Sequence, residues 1–417
     1  MLHPAFIHDF RKRASIGRNF RAAILFFASV GALSSFDAIG LDWPRWRGPD
    51  ANGISKETGW STSWPDEGPK QLWKANVGTG FSSISVANGR AYTVGNLKDQ
   101  DTVYCFDAKT GQERWKHSYP APLDDHYYDG GSSATPTIDG DKVYHLARRG
   151  GLFCLDAATG KVVWSKELYK ELGARIPEWG FAGSPLVEGD LLILNVGSAG
   201  AAINKVTGAV VWTSGKGSAG YSSAVPFSVG NDRYAALFLL QAVAAVNVRT
   251  GKELWRHGWK TSYDVNAADP VIAGNEIFIS SGYDKGAALL RILSNQPNVV
   301  WQNKNMRNHF NSCVLVGGHL YGFDESELKC VDWKSGAVKW TEPGLGKGGL
   351  SAADGKLIVQ GERGQLVVAE ASPAGFKPLA RAQVLGGKCW TMPVLANGRI
   401  YCRNARGDVV CVDVSTK

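Results

Sequence analysis

The sequence predicts an all-β chain closed into an eight-bladed propeller of four-stranded antiparallel blades, and three observations carry that expectation. One phrase recurs, as VYCFDAKTGQERW (103–115), LFCLDAATGKVVW (152–164), VAAVNVRTGKELW (243–255) and LKCVDWKSGAVKW (328–340). The tryptophans that close such phrases, Trp73, Trp115, Trp164, Trp212, Trp255, Trp301 and Trp340, are spaced by 39 to 49 residues, near the ~45 of a propeller blade. The two ends of the chain are complementary fragments of a single unit.

The first half of each unit is a short hairpin. SSISVANGRAYTVG (82–95), ATPTIDGDKVYHLA (134–147), GSPLVEGDLLILNV (183–196), ADPVIAGNEIFISS (268–281) and TMPVLANGRIYCRN (391–404) place β-formers on both sides of an NG-, DG- or similar turn. We call these strands A and B. The repeated phrase supplies C and D. Between C and D, an Asp or Asn (Asp107, Asp156, Asn204, Asn247, Asp332) is suited to accept backbone N–H groups across the turn. A Thr or Ser adds a second local bond, and a glycine follows where the backbone turns left-handed. Each closing indole buries ~150–250 Å², so a Trp at this period reads as packing between adjacent blades, and the phrase as frame.

The unit ending at Trp301 has lost its turn signature (LRILSNQPNVVW), and the unit at 350–382 keeps its strands but puts Leu379 near the Trp position. MPVLANGRIYCRNARGDVVCVDVS at the C-terminus supplies A, B and C without D, and KQLWKANVG (70–78) supplies a D alone. One blade stitched from both termini closes the ring and removes exposed sheet edges.

The N-terminus reads as a targeting segment. Basic residues end at Arg21, and the apolar run 22–33 is too short at twelve residues for a span of ~20. Ala38 and Gly40 suit the −3 and −1 positions of a cleavage site. The expectation is a signal peptide over 1–40, a lead-in over 41–69, and a ring over 70–417. Export follows, to the periplasm, the cell envelope or beyond. The leader has no cysteine for lipid attachment and no later run has membrane length, so the expectation is no transmembrane segment after cleavage, and a monomer. Of the net charge of +8, +3 lies in residues 1–40 and the rest is scattered. Nucleic-acid binding needs a concentrated basic stripe and is not expected.

The pattern [A/V]-x-[DN]-x-x-[TS]-G-x-x-x-W resembles the tryptophan-docking repeat of the pyrroloquinoline-quinone (PQQ)-type propellers over essentially all of 70–417. The lead-in WPRWRGPDANGIS (43–55) resembles the opening of exported bacterial proteins of that family with no assigned function. Two better-understood branches share the fold: quinoprotein dehydrogenases, and outer-membrane assembly propellers that bind protein partners. The dehydrogenase resemblance implies PQQ at the channel mouth, over a Trp, under a disulfide of adjacent cysteines, and beside Ca²⁺ held by Glu, Asn and Asp. This chain has no Cys-Cys pair and no C-x-x-C-H, and EWGFAGSP (178–185) only faintly matches the Trp-Gly element. Asn266 and Asp269 are candidate Ca²⁺ oxygens, short of the 6–8 that calcium takes. Neither a G-x-S-x-G elbow nor an H-E-x-x-H or P-loop motif is present. No cofactor is expected. PQQ with Ca²⁺ belongs to an alternative reading, a quinoprotein-like oxidoreductase with a reduced site.

The loops from each D strand to the next A strand gather at one face. Two are long, YPAPLDDHYYDGGSS (119–133) and YKELGARIPEWGFAG (169–183). Aromatic, amide and charged side chains on these loops suit recognition. The candidate contact residues are His126, Tyr128, Trp179, Tyr221, Asn266, His309 and Trp390, for a protein or a cell-envelope polymer. Among seven cysteines, Cys105, Cys154, Cys330 and Cys411 follow the repeat and read as small buried residues. With a turn at Arg406-Gly407, Cys402 would face Cys411 across a hairpin within disulfide range, which makes these two the candidate pair; the other five read as thiols.

Overall fold

A computed structural model describes residues 41–126 and 128–416; the expected signal peptide lies outside the described residues. Eight sheets form, each with an A-B-C-D core of four strands. The first seven blades run over 85–120, 137–167, 186–213, 225–258, 271–303, 314–342 and 349–383. The eighth joins Val394–Ala396, Arg399–Arg403 and Asp408–Asp413 to Gln71–Asn76 from the other end of the chain. The ring closes as the complementary ends predict.

Apolar residues collect in eight clusters, each shared by two neighbouring blades; one joins Tyr144 and Cys154 of blade 2 to Leu192 and Ile203 of blade 3. The core therefore lies between blades, and the tryptophans show how. Each D strand carries a bulge just before its Trp, as between Glu113 and Trp115, and the bulge aims the indole at the next blade. Trp73 Nε1 donates to Ala108 O at 3.1 Å, Trp115 to Ala157 O at 3.0 Å and Trp212 to Val248 O at 2.9 Å. The ring lies on the turn glycine of that blade. At Gly111, φ is +72° and a Cβ would stand 2.6 Å from Trp73, so only glycine fits on both counts. The Asp of the turn behaves as expected: Asp107 Oδ1 accepts from Lys109 N, Thr110 N and Thr110 Oγ1 at 2.9–3.0 Å.

The exceptions follow the same logic. Blade 5 turns through Ser294 and Asn295, both at positive φ, without the Asp-Thr-Gly turn. Trp255, which would dock there, stays buried with its Nε1 unpartnered. In blade 7 the residue after the bulge is Ala380, opposite Val368. Ala380 is thus the Trp-equivalent residue, and its neighbour Leu379 is half-exposed on the bulge. That seam has no docking Trp; Trp60 and Trp64 of the lead-in pack on it instead.

The disulfide reading is overturned. The last hairpin turns through four residues, 404–407, so Tyr401 faces Cys411 and Cys402 faces Val410. That one-residue shift sends the two thiols to opposite faces of the sheet, Cys411 toward blade 1 and Cys402 toward blade 7. All seven cysteines are buried and free.

The lead-in enters the channel and threads along the inner strands. Trp43 bridges Val86 in blade 1, the carbonyl of Pro44 accepts from Ile138 N in blade 2, and Arg45 donates to Val187 O in blade 3. Arg47 donates to Cys313 O before blade 6, and Ile54–Ser55 adds in parallel to the inner strand of blade 7. A second device ties the inner rim. Ser83, Thr135, Ser184, Ser223, Asp269 and Ser312 each stand two residues before an inner strand. The backbone N–H of each donates to the side-chain oxygen of the next, at 2.7–2.9 Å, five times in succession. This collar holds the blades in register around the channel mouth.

Candidate functional site

At the face of the D-to-A loops the collar opens into a cup of about 330 Å³. The lead-in makes its floor. Trp46 Nε1 donates to Asp269 Oδ2 at 2.6 Å, and Arg47 Nε lies 3.9 Å from the same oxygen. Asp269 is the only carboxylate among the six collar residues. Burial raises its pKa to about 6, against the opposing pull of Arg47. The floor also carries Ser184 and Ser223 of the collar.

Aromatic rings form the walls. Trp179 and Tyr221 meet at 5.7 Å between centroids. Elsewhere on the wall Phe310 stacks on Trp390 at 4.6 Å, Phe81 on Trp390 at 5.8 Å, and Tyr128 leans on Phe81 at 5.7 Å. His309 stacks on Phe310 at 3.9 Å, with Tyr283 edge-on at 4.7 Å. Burial lowers the His309 pKa to about 4, and the neighbouring Lys347 ammonium adds to the shift. Lys347 Nζ donates to Nδ1 at 2.8 Å, so the imidazole is neutral at physiological pH.

Arg148, on the loop between strands B and C of blade 2, sets both long loops. It is buried, donates to Leu123 O at 2.8 Å and to Trp179 O at 3.2 Å, and lies 5.4 Å from the Tyr128 ring centroid. Asp124 pairs with Arg148 at 3.2 Å and Arg149 at 2.8 Å. Gly131 passes so close to Thr79 that a Cβ would stand 2.5 Å from its carbonyl. The charges around the cup are paired: Lys388 with Asp129 at 2.5 Å, and Lys347 with Glu325 at 3.3 Å.

Of the seven residues singled out from the sequence, Tyr128, Trp179, Tyr221, His309 and Trp390 line the cup. His126 does not; its side chain is 79% exposed on the outer rim, beside Asp124. Asn266 is fully buried as a brace, donating to Leu239 O at 2.8 Å and Leu240 O at 3.0 Å while accepting from Ser281 Oγ at 2.6 Å. Phe81 and Phe310 also line the cup from D-to-A loops, where purely apolar rings beside more polar neighbours carry no sequence signal of a site. Tyr283 lies on a B-to-C turn, which opens to the same face. Trp46 belongs to a segment with no repeat to place it.

Three comparisons set this geometry among known proteins. A family model described as outer membrane protein assembly factor BamB matches residues 58–131 and 99–342, together most of the chain. The chain belongs to the PQQ-repeat β-propeller family. No curated protein matches it by sequence. Among solved structures it resembles quinohemoprotein alcohol dehydrogenase from Comamonas testosteroni (TM-score 0.67, 15% identity, 90% of this chain and 81% of that one). It also resembles BamB from Moraxella catarrhalis (0.59, 16%, 82% and 97%) and a europium-containing methanol dehydrogenase (0.61, 13%, 89% and 89%). Identities this low establish the shared fold.

The residues present do not fit calcium-bound PQQ. Asn266 turns its amide into the blade, and Asp269 is held by the Trp46 indole, Ser223 N at 2.7 Å and the Arg47 guanidinium. The two candidate oxygens do not converge on a cation. No group of three His, Cys, Asp or Glu side chains suited to a metal occurs among the described residues. The lysines at the cup already have carboxylate partners, whereas PQQ carries three carboxylates.

Proposed function

We propose that this chain is an exported, non-catalytic recognition module that holds part of a protein or cell-envelope polymer in its aromatic cup. The observation that carries the reading is the convergence of aromatic rings from several blades on a cup whose floor is the chain's own lead-in. Large rings with few rotatable bonds, set around a sheltered concavity, are the groups that dominate recognition energetics. The description of the family as an assembly factor, and the likeness to BamB, support a binding role and an exported setting. No helix among the described residues is long and apolar enough to cross a membrane.

The test is capture from fractionated cell envelope by the parent protein and by Trp179→Ala, Tyr128→Ala and a variant on the opposite, C-to-D turn face, Lys161→Ala. The reading expects the two cup variants to lose about 2 kcal/mol or more of binding each and Lys161→Ala to lose none. Unchanged capture by both cup variants, with loss in Lys161→Ala, overturns it. So does a quinone absorbance that survives desalting after PQQ and Ca²⁺ are added.

A further inference from the structure

We infer that the group the cup receives is an uncharged sugar ring of a glycan; the inference rests on the cup being the binding face. The walls and floor make different demands on a ligand, and together they narrow its chemistry. On the walls, Phe310 and Trp390 are stacked on each other and on His309 and Phe81, whereas Trp179 is half-buried and its neighbour Tyr221 is tilted at 60° rather than stacked on it. The negative face of an aromatic ring attracts the weakly positive C–H bonds on the face of a pyranose.

The floor is polar and has unused hydrogen-bonding capacity. Ser184 Oγ accepts only from Thr135 N, and Ser223 Oγ only from Ser184 N, among the described residues. Each hydroxyl keeps its own proton to donate. Asn311 uses its Nδ2 on Gly348 O and Trp390 O, which leaves Oδ1 as an acceptor. All three residues line the cup and are at least nine-tenths buried. A Phe or Leu side chain would cover the rings but strand these groups, at a cost of about 1–3 kcal/mol each. A pyranose carries hydroxyls around an apolar disc and meets both demands.

Charge removes the anionic alternatives. Asp269 is paired with Arg47, Lys388 with Asp129, Lys347 with Glu325 and Arg148 with Asp124. A uronate or nucleotide finds no unpaired cation among them and would have to break an existing pair. At about 330 Å³ the cup is at the small end of ligand sites, sized for the end of a chain.

The experiment is calorimetric titration of the full-length protein with hexamers of α-glucan, β-glucan, mannan and chitin, with hexagalacturonate as the charged probe and N-acetyl-Gly-Trp-Gly amide as the peptide probe. At least one neutral hexamer should bind with Kd of about 1 mM or tighter, and hexagalacturonate about tenfold more weakly. Trp179→Ala should weaken the neutral hexamer at least tenfold. Ser184→Ala, which removes the hydroxyl and with it one collar bond from Thr135 N, should weaken it while leaving the Trp-bearing peptide unaffected. Unaltered melting of Trp179→Ala, and unaltered binding of the peptide probe by Ser184→Ala, separate a lost contact from a lost fold. Absence of neutral-hexamer binding, or binding indifferent to both variants, overturns the assignment. If cup variants lose capture of an envelope protein while no sugar binds, the sugar assignment falls and the binding-face reading stands. If neither protein capture nor sugar binding responds to the cup variants, both fall.

Discussion

Replacing Arg403 with Met tests how the ring is closed. Arg403 lies on the second strand of the stitched blade and is completely buried. Its Nη1 donates to Ser82 O at 2.9 Å, Thr93 Oγ1 at 2.8 Å and Val94 O at 2.5 Å, and its Nη2 to Gly78 O at 3.2 Å. These acceptors belong to blade 1 and the loop leading into it, so one guanidinium ties the C-terminal half of the closing blade to the N-terminal part of the ring. Burial costs it: the pKa falls from 12.5 to about 9, or roughly 5 kcal/mol at 1.36 kcal/mol per unit. Nη1 has two N–H groups for its three acceptors, so the guanidinium makes three full bonds here with Nε unpartnered, and at ~1.5–3 kcal/mol each they return about 5–9. The bonds win, and Met, which fills the volume but leaves the acceptors bare, should destabilise by about 2–5 kcal/mol after relaxation. For a domain larger than 250 residues, that corresponds to a fall in Tm of several degrees, roughly 3–8 °C. Arg403→Lys should fare little better, because a single ammonium cannot span four acceptors. Calorimetry with urea unfolding as a second probe measures it. A Met variant that melts within about 1 °C of the parent, or above it, refutes the hydrogen-bond side of this balance.

Other consequences are as direct. Ending the chain at Gly407 removes the strand that pairs with Gln71–Asn76 and should cost far more stability than shortening the 169–183 loop; equal melting temperatures would contradict ring closure. Asp269, raised to about 6 when folded from ~3.9 unfolded, contributes stability that is full below pH ~4 and lost as pH rises through ~6. Relative to Asp269→Asn, the parent should therefore gain on the order of 2–3 kcal/mol between pH 7 and pH 4, and parallel stability curves would disprove it. Cys402 and Cys411 should both appear as free thiols in unreduced peptide maps, with labelling slow until the ring unfolds because burial raises both thiol pKa values; a bridged peptide would overturn the observed register.

The periodic parts of the structure were legible in the sequence. Trp115 and its counterparts, the Asp-x-x-Thr-Gly turn and the half-units at the two ends all report local rules repeated at fixed spacing, so the blades, their order and the closure follow. The misreadings come where one residue of register matters. A four-residue turn at 404–407 in place of a two-residue one moved Cys402 to the other face, and in blade 7 the bulge fixes the Trp-equivalent position at Ala380, beside Leu379. The lead-in carries no repeat, so nothing in its sequence could place Trp46 on the floor of the cup or Arg47 beside Asp269. The collar hides for another reason. Ser83, Thr135, Ser184, Ser223, Asp269 and Ser312 differ in type and share only a short side-chain oxygen two residues before each inner strand. That offset was available in the sequence once the strands were aligned. Asn266 was misjudged because an amide on a loop reads as a contact residue, whereas here it satisfies backbone carbonyls inside a blade.

The central claim, that the chain acts through the cup, is tested most directly by hydrogen exchange of the protein with and without a saturating envelope fraction that it captures. The account predicts slowed exchange in the segments that build the cup, 123–133, 175–184, 307–311 and 388–391, with the turns at 109–112, 158–161 and 249–252 unchanged. Slowed exchange confined to those turns, with the cup segments unaffected, would contradict it.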